Sequence, residues 1–296
     1  VRFGETYDGY GRDLVDTELL KRVEILKGPS SALYGSDGLA GAILYITKDP
    51  SDLASENDVY QSVTAGYDSD NEHSKVSYLA ANVGEKMEGL IQVTAREVSE
   101  TELHDDAVKK PNPFSGEQSS IFLKGKYLIN DNLGLTLTYD TQESEGDWNL
   151  NSTLGTSGYP QMVSTTSSIG DDDISRDRVS LSLDFSADSG LFDNGSFSIY
   201  SQDTDQRQVT NIDKSIVGNF VNGPRGPQFV PNIPPTPIRE FKDYIFDQSI
   251  DGFAVQFFKS IESESGVVHN IVYGAEQESI DVSRPRYRTE TNLMTN

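Results

Sequence analysis

Residues 23–48, VEILKGPSSALYGSDGLAGAILYITK, decide the fold of the first part of the chain. Residues 23–26 are apolar and partly β-branched, which predicts a short buried strand. A Gly-Pro pair ends that strand, and the apolar residues 42–46 predict a second strand after a glycine-rich turn. Just upstream, Asp16 or Thr17 is placed to cap a short helix, TELLKR, that leads into the first strand.

Three glycines in the turn, Gly35, Gly38 and Gly41, are spaced GxxGxxG, which loosely suggests a phosphate-binding cradle. No Gly-Lys-Ser/Thr sequence follows them and no long helix begins after them, so the pattern does not indicate a nucleotide site. The sequence GSDG at residues 35–38 also differs from the GxSxG turn of hydrolases. A compact structural turn, in which glycine lets two backbones approach closely, is the better interpretation.

This stretch resembles the C-terminal half of the plug domain of TonB-dependent outer-membrane receptors, where a strand, GPxSALYG, a glycine-rich loop and a strand ending in TK recur. The motif positions in this chain are Gly28, Pro29, Tyr34, Gly35, Gly38 and Gly41. The ending ITKDPSDL, residues 46–53, is most similar to the haem/haemoglobin branch (haemoglobin/transferrin/lactoferrin receptors). The resemblance implies that residues 1–54 are the C-terminal part of a small α+β plug domain. It also implies a longer parent protein, with a signal peptide, a TonB-contacting segment and the start of the plug before Val1.

From residue 57 onward, apolar and polar residues alternate with a period of two, as in strands with one apolar and one polar face. The clearest segments are residues 121–127, 133–139 and 179–185. Weaker segments bring the expected total to about nine strands. Residues 55–296 are therefore predicted to be all-β, as the N-terminal part of an antiparallel up-and-down transmembrane β-barrel. The barrel is expected to be incomplete, because plugged barrels have roughly 22 strands.

The connections between these predicted strands alternate in length. Short links are expected at residues 84–86, 129–132, 188–195 and 262–266, and long loops at 98–117, 144–172, 206–242 and from 280 onward. Alternating lengths place all long loops on one side of an up-and-down sheet, which is typical of outer-membrane barrels with short periplasmic turns. A soluble β-sandwich would also alternate along its strands, but its loop lengths would not sort by side.

The composition narrows the class of function. The formal net charge of the 296 residues is −23, so the chain has too few cations to replace the counterions of nucleic acid, and no nucleic-acid partner is expected. The chain has no cysteine, which excludes disulfides and thiolate chemistry. Its three histidines form neither a Ser/His/Asp set nor a metal-ligand cluster. Neither a catalytic nor a metal site is predicted, and the protein is not expected to be an enzyme.

Haem iron in proteins is held by His, Cys, Met or Tyr, which limits the candidate ligand-binding residues. Haem receptors that use a plug histidine place it in the loop that corresponds to residues 5–12, where this chain has Tyr7 and Tyr10 but no histidine. These two tyrosines are therefore candidates for ligand contact, with packing against the barrel wall as the alternative. His104, in the first long loop, is a third candidate, although the simpler interpretation is a solvated histidine beside two acids.

Three further loop features each allow more than one interpretation. The acidic run at residues 171–173 suggests calcium but lacks EF-hand spacing, so a solvated acidic loop is preferred. The sequence PNIPPTP, residues 231–237, is either a stiff protrusion that meets a protein partner or an ordered surface loop. Arg284, Arg286 and Arg288 either face haem propionates or a partner, or are simply solvated.

The function predicted with the help of the resemblance is that of a TonB-dependent outer-membrane receptor for haem, or for haem from haemoproteins. The TonB complex is expected to act through a segment that precedes this chain, and the lipid of a Gram-negative outer membrane is the expected surrounding. Haem is the expected transported ligand, and no tightly bound cofactor is expected. A ferric-siderophore receptor of the same fold is the alternative, against which the DPSDL ending weighs weakly.

Overall fold

The computed structural model describes residues 15–28, 41–70, 72–100, 112–187, 189–263 and 266–295. Within these residues the chain forms two sheets, one of two strands and one of eleven. The small sheet pairs β1 (Leu20–Lys27) with β2 (Gly41–Thr47) in antiparallel fashion, which confirms the two strands predicted around the glycine-rich turn. The predicted burial of β1 is wrong for the described residues, in which Ile25 is 62% exposed.

The helix predicted before β1 is wrong. Residues Thr17–Leu19 form a single 3-10 turn, and the chain is already extended at Leu20. Asp16 caps this turn as expected, with its carboxylate accepting the backbone N–H of Glu18 at 2.9 Å. Pairing with β2 satisfies the backbone beyond the turn, so a helix is not needed there. No helix in the described part of the chain is long and apolar enough to cross a membrane.

The large sheet contains the remaining strands. Their bounds are β3 Asp58–Asp68, β4 His73–Val83, β5 Met87–Ser99, β6 Phe114–Asn130, β7 Leu133–Asn149, β8 Gly155–Ser157, β9 Gln161–Ser186, β10 Asn194–Gly223, β11 Gly226–Glu262, β12 Val268–Ser283 and β13 Arg286–Asn292. The spatial order is β3-β4-β5-β6-β7-β9-β10-β11-β12, while β8 pairs with β9 and β13 with β11. Within the described residues, nine strands thus follow one another up and down, which confirms the predicted arrangement. The strands β3 and β12 are its two edges, so the sheet is open across the part of the chain described.

Short connections gather at one end of this sheet, as predicted. They follow β4, β6, β9 and β11. At the other end, the prediction of long irregular loops is wrong for residues 144–172 and 206–242, which are mostly strand. β10 and β11 continue as one hairpin to a tip at Pro224 and Arg225. Backbone pairing with a neighbour keeps these segments extended even though their sequences lack apolar alternation.

One face of the large sheet carries a continuous apolar band near the short connections. The register brings Leu135 opposite Leu183, Leu183 opposite Phe197, and Phe197 opposite Val255. Leu137, in the same band, is 51% exposed. An exposed apolar band that crosses this many strands is typical of a lipid-facing surface. The predicted alternation of these strands is therefore confirmed.

Aromatic rings border the band at the end with the short connections. They belong to Phe185, Phe192, Phe257 and Tyr273, whose neighbouring ring centroids are 5.2–5.9 Å apart. Aromatic girdles flank the apolar band of outer-membrane barrels in this way. The opposite face of the sheet is mostly polar and receives the N-terminal segment, and we call it the inner face.

Candidate functional site

The N-terminal segment, here residues 15–28 and 41–53, docks on the inner face of the large sheet. Leu19, which is 1% exposed, is the apolar anchor of this contact. It packs in a cluster with Leu79, Ala81, Leu90 and Phe122, with Leu53 at the margin. Full burial of a leucine side chain is worth about 1.5–3 kcal/mol. The anchor therefore contributes substantially to holding the segment against strands β4, β5 and β6.

Beside Leu19, a buried ion pair joins the same segment to the wall. The Asp16 carboxylate accepts hydrogen bonds from Arg96 Nη1 at 3.1 Å and from Nη2 at 2.5 Å. The Ser120 hydroxyl and the backbone N–H of Glu18 also donate to it. Burial by itself raises the pKa of Asp16, but these donors and the Arg96 charge outweigh burial and hold that pKa below its ordinary value. Asp16 is therefore ionised at neutral pH.

A second charged contact follows β2. Asp49 Oδ1 lies 3.1 Å from Lys124 Nζ and 2.9 Å from Lys126 Nζ, both on β6. Lys124 Nζ also donates to Thr47 Oγ1 at 2.8 Å. Burial raises the pKa of Asp49, but the hydrogen bonds and charges of the two lysines outweigh it and lower the pKa overall. We call the contacts of Asp16, Leu19 and Asp49 with the wall the junction.

A polar cavity of about 300 Å³ borders the junction. Asp16, Arg96, His73, Gln118 and Gln142 are among the residues that line it. Polar cavities of this size accommodate water, because the lining offers several hydrogen-bond partners. The Asp16–Arg96 pair is therefore buried by protein on one side and within reach of water on the other.

Farther along the inner face, arginine side chains lie over aromatic rings of the neighbouring strand. Arg284 Cζ is 5.1 Å from the ring centroid of Phe246, and Arg286 Cζ is 5.4 Å from that of Tyr244. Both arginines are exposed. In strands β5 to β13, even-numbered residues pair with even-numbered residues along the register from Arg96 to Arg286, so they lie on the same inner face as Arg96. We call Arg284, Arg286, Tyr244 and Phe246 the arginine–aromatic stripe.

The third arginine of the same segment belongs to a network of ion pairs. Arg288 lies 2.5 Å from Glu240 and 2.9 Å from Glu290. Lys214 Nζ lies 2.5 Å from Glu240 and 2.7 Å from Glu290. Arg288 therefore helps to tie β10, β11 and β13 together, whereas the two arginines of the stripe lie on rings.

Residues 2–42 match the family described as the TonB-dependent Receptor Plug Domain. Residues 2–42 therefore carry the sequence of a TonB-dependent receptor plug domain. The family predicted from the GPxSALYG stretch is thus confirmed. Asp16 and Leu19 lie within this match, so their part of the junction is a contact between the plug segment and the wall formed by the large sheet.

The chain is similar to two proteins named for the binding of haemoglobin or haemin. Hemoglobin-binding protein A of Haemophilus influenzae is 32% identical over 156 residues, which are 48% of this chain and 15% of that protein. The Hemin receptor of Yersinia enterocolitica is 29% identical over 132 residues, which are 44% of this chain and 19% of that receptor. The matches therefore span less than a fifth of these curated relatives.

Solved structures are similar over a larger share of the chain. The FrpB iron transporter from Neisseria meningitidis (F3-3 variant) has a TM-score of 0.44 and 14% identity, with 95% of this chain and 54% of that chain covered. The ferric yersiniabactin uptake receptor FyuA from Yersinia pestis has a TM-score of 0.44 and 14% identity, with 89% and 49% covered.

Most of the predicted site residues lie outside the described residues. They are Tyr7, Tyr10, His104, Pro29, Tyr34, Gly35 and Gly38. Gly28 and Gly41 are described, and their φ angles are +107° and +147°. A Cβ atom on Gly41 would lie 2.3 Å from the backbone oxygen of Leu26, so this position requires glycine. The role of the plug motif as a whole, like that of the ligand candidates, stays a prediction.

The acidic run at residues 171–173 lies within β9, where successive side chains point to opposite faces of the sheet. Its three carboxylates therefore do not converge on one point. In the described parts of the chain, no group of three or more His, Cys, Asp or Glu residues is placed to hold a metal ion. Residues 231–237, interpreted as a loop, are part of β11 and pair in part with β10.

Sequence reasoning identified Asp16 as a local cap but missed its ion pair. Its partners Arg96 and Ser120 lie 80 and 104 residues away in the sequence. No short-range pattern connects residues at such separations. The one available signal was Arg96 itself, a cation within a strand of a strongly acidic chain.

Proposed function

We propose that this chain is part of an energy-coupled outer-membrane receptor that takes up haem, either free or from haemoproteins. The observation that carries the transport function is the junction, which holds a plug segment on the polar face of a sheet whose other face is an exposed apolar band. A membrane-spanning wall with a docked plug blocks solutes. Uptake therefore requires the plug to move relative to the wall.

The similarity to proteins named for haemoglobin and haemin binding supports haem as the transported ligand. The plug domain supports the TonB complex as the partner that supplies energy, through the segment that precedes the described plug residues. The apolar band supports the lipid of a Gram-negative outer membrane as the surrounding. The receptor is proposed to carry out no covalent chemistry, so haem is cargo rather than a resident cofactor and the protein is not an enzyme.

The residues of the junction define what plug movement must break. Leu19 has to leave its apolar cluster, and Asp16 has to separate from Arg96. Breaking a fully dry ion pair would leave two charges without solvent, which is very costly. The polar cavity beside this pair gives water access to both groups as they separate. The junction is therefore built to be firm at rest and still reversible.

The test of the haem assignment uses the full-length receptor, refolded in detergent and titrated with haem while absorbance is recorded. A saturable shift of the Soret band is the expected result, with a ferric siderophore as the control ligand. If haem causes no shift and the siderophore quenches protein fluorescence with saturation, the haem assignment is refuted and the ferric-siderophore alternative is supported. If neither ligand binds to a folded receptor, uptake of either class is refuted.

A further inference from the structure

Charge is unevenly distributed in this strongly acidic chain, whose formal net charge is −23. Cations gather on the inner face of strands β10 to β13, and they are Lys214, Lys242, Arg284, Arg286 and Arg288. Ion pairs join Lys214, Lys242 and Arg288 to Glu240 and Glu290. The same face of β12 also carries Glu276 and Glu278, which lie beside Tyr200. Positive charge is therefore concentrated at the end of this face near β13, and such a local cluster of cations attracts an anionic ligand.

Aromatic rings lie under the guanidinium groups of the arginine–aromatic stripe. Arg284 and Arg286 lie over the rings of Phe246 and Tyr244. A guanidinium that lies over a ring keeps N–H donors at its edge for hydrogen bonds to carboxylates.

The support under the stripe is rigid. Phe246 is 4% exposed, so its ring does not change position easily. Pro285, between the two arginines, accepts a hydrogen bond from the backbone N–H of Ile245 at 3.0 Å. The Phe246 ring and the backbone between the two arginines are thus fixed before any ligand arrives, which reduces the entropy lost on binding.

We propose that the arginine–aromatic stripe binds the charged edge of a planar, anionic aromatic ligand. Tyr244 and Phe246 are alternate residues of β11, which places them about 7 Å apart on one face. Each arginine lies over one of these rings, so Arg284 and Arg286 can each meet one of two neighbouring anionic groups. Tyr244 and Phe246 add ring surface beside them. For haem, which rests on the function proposed above, the anionic groups are the two propionates. A ferric catecholate siderophore presents the same chemistry, with charged oxygens on flat rings.

The experiment uses the full-length receptor in detergent and three probes: haem, haem dimethyl ester and a ferric catecholate siderophore. The ester keeps the porphyrin and iron but has neutral propionates, so the ratio of the two haem affinities measures carboxylate recognition. The variants are R284Q/R286Q, R284K/R286K, which keeps the charge, and Arg239→Gln as a matched control. Arg239 is on the same strand as Tyr244 but at an odd-numbered position, where it pairs with Asp213 at 2.9 Å.

The receptor is expected to bind haem about tenfold or more tightly than the ester, because charge-assisted hydrogen bonds to carboxylates are lost with the ester. R284Q/R286Q should bring haem down to the level of the ester, R284K/R286K should be intermediate, and the Arg239→Gln variant should behave as the unaltered receptor. Equal affinity ratios in R284Q/R286Q and the unaltered receptor would overturn the proposal while leaving haem uptake intact. Circular dichroism of each variant confirms that it is folded before binding is compared.

The siderophore separates failure of this inference from failure of the proposed function. If the unaltered receptor binds neither porphyrin but binds the siderophore, the haem assignment fails. The stripe is then supported by an affinity for the siderophore that is about tenfold weaker in R284Q/R286Q, and it is overturned by an unchanged affinity.

Discussion

Replacing Asp16 with asparagine removes one charge from the junction and changes little else in its shape. The amide oxygen can still accept the backbone N–H of Glu18, and the amide NH2 group can donate to the Ser120 hydroxyl in place of the bond that the carboxylate accepted. The main change is therefore the loss of the charge that pairs with Arg96. The Asp16 side chain is 2% exposed and that of Arg96 is 13% exposed. Breaking a fully buried ion pair costs about 3–5 kcal/mol. Because Arg96 retains some contact with water, we expect a cost of about 2–3 kcal/mol for plug docking.

Hydrogen exchange of the full-length receptor in detergent measures this cost. The reporter is the amide of Leu19, which donates to the Asp16 carbonyl at 3.1 Å and belongs to a residue that the wall covers while the segment is docked. A loss of 2–3 kcal/mol corresponds to exchange that is roughly 30- to 150-fold faster, provided that opening is at equilibrium. Amides in the middle of β9, far from the junction, should be unchanged.

The matched control is Asp52→Asn, in the same domain. Asp52 pairs with Lys21, and their side chains are 25% and 39% exposed, so this pair is worth less than about 1 kcal/mol. Its loss should accelerate exchange by less than about fivefold. Equal effects of the two substitutions would refute the reasoning, because they would show that burial of the Asp16–Arg96 pair does not stabilise docking.

Three further predictions concern the same wall. The pKa of Asp16 is lowered in the folded state, so its contribution to docking is present above its unfolded pKa of about 4 and is lost as pH decreases through the folded value. Calorimetry should show that the plug undocks at a lower temperature at pH 3 than at pH 7. This difference in temperature should be smaller in the Asp16→Asn variant. Leu19→Ala should destabilise docking by about 2–5 kcal/mol, since it empties a site that is 1% exposed; a calorimetric change below about 1 kcal/mol would contradict the role of Leu19 as anchor. Leu181→Arg, in the apolar band, should cost about 2–4 kcal/mol in folding into lipid vesicles, whereas Ser180→Arg, on the inner face, should fold nearly as well as the unaltered receptor.

The strands of the apolar band could be predicted from the sequence because each has one face in lipid. At Leu135, Leu181 and Leu183 this requirement imposes an apolar residue at every second position, which is visible without any knowledge of the partner strand. The short connections could also be predicted, because polar residues interrupt the apolar alternation there. The number and order of the strands came from these two signals together.

The long hairpin of β10 and β11 could not be predicted in this way. Beyond the apolar band, its residues no longer have one lipid-facing side, so the alternation disappears although the pairing continues to Gly223 and Gly226. Whether such a segment is strand or loop depends on its partner, and a partner is not visible in local sequence. The junction and the aromatic partners of Arg284 and Arg286 were missed for a related reason. Arg96 and Tyr244 gain their roles from residues that the register places beside them.

The junction and the arginine–aromatic stripe share the inner face but lie on different strands. Arg96 is on β5 and Arg286 is on β13, which continues the line of β12 beside β11. Six strand spacings separate β5 from β12, which is roughly 29 Å across the sheet. Charges at this distance are screened by salt, and their mutational effects add independently unless a shared element couples them. A ligand on the stripe therefore cannot loosen the Asp16–Arg96 pair by its own field. If binding to the stripe changes amide exchange at Leu19, the signal must pass through an element that contacts both places. The plug domain, whose movement we propose for uptake, is the element suited to do so.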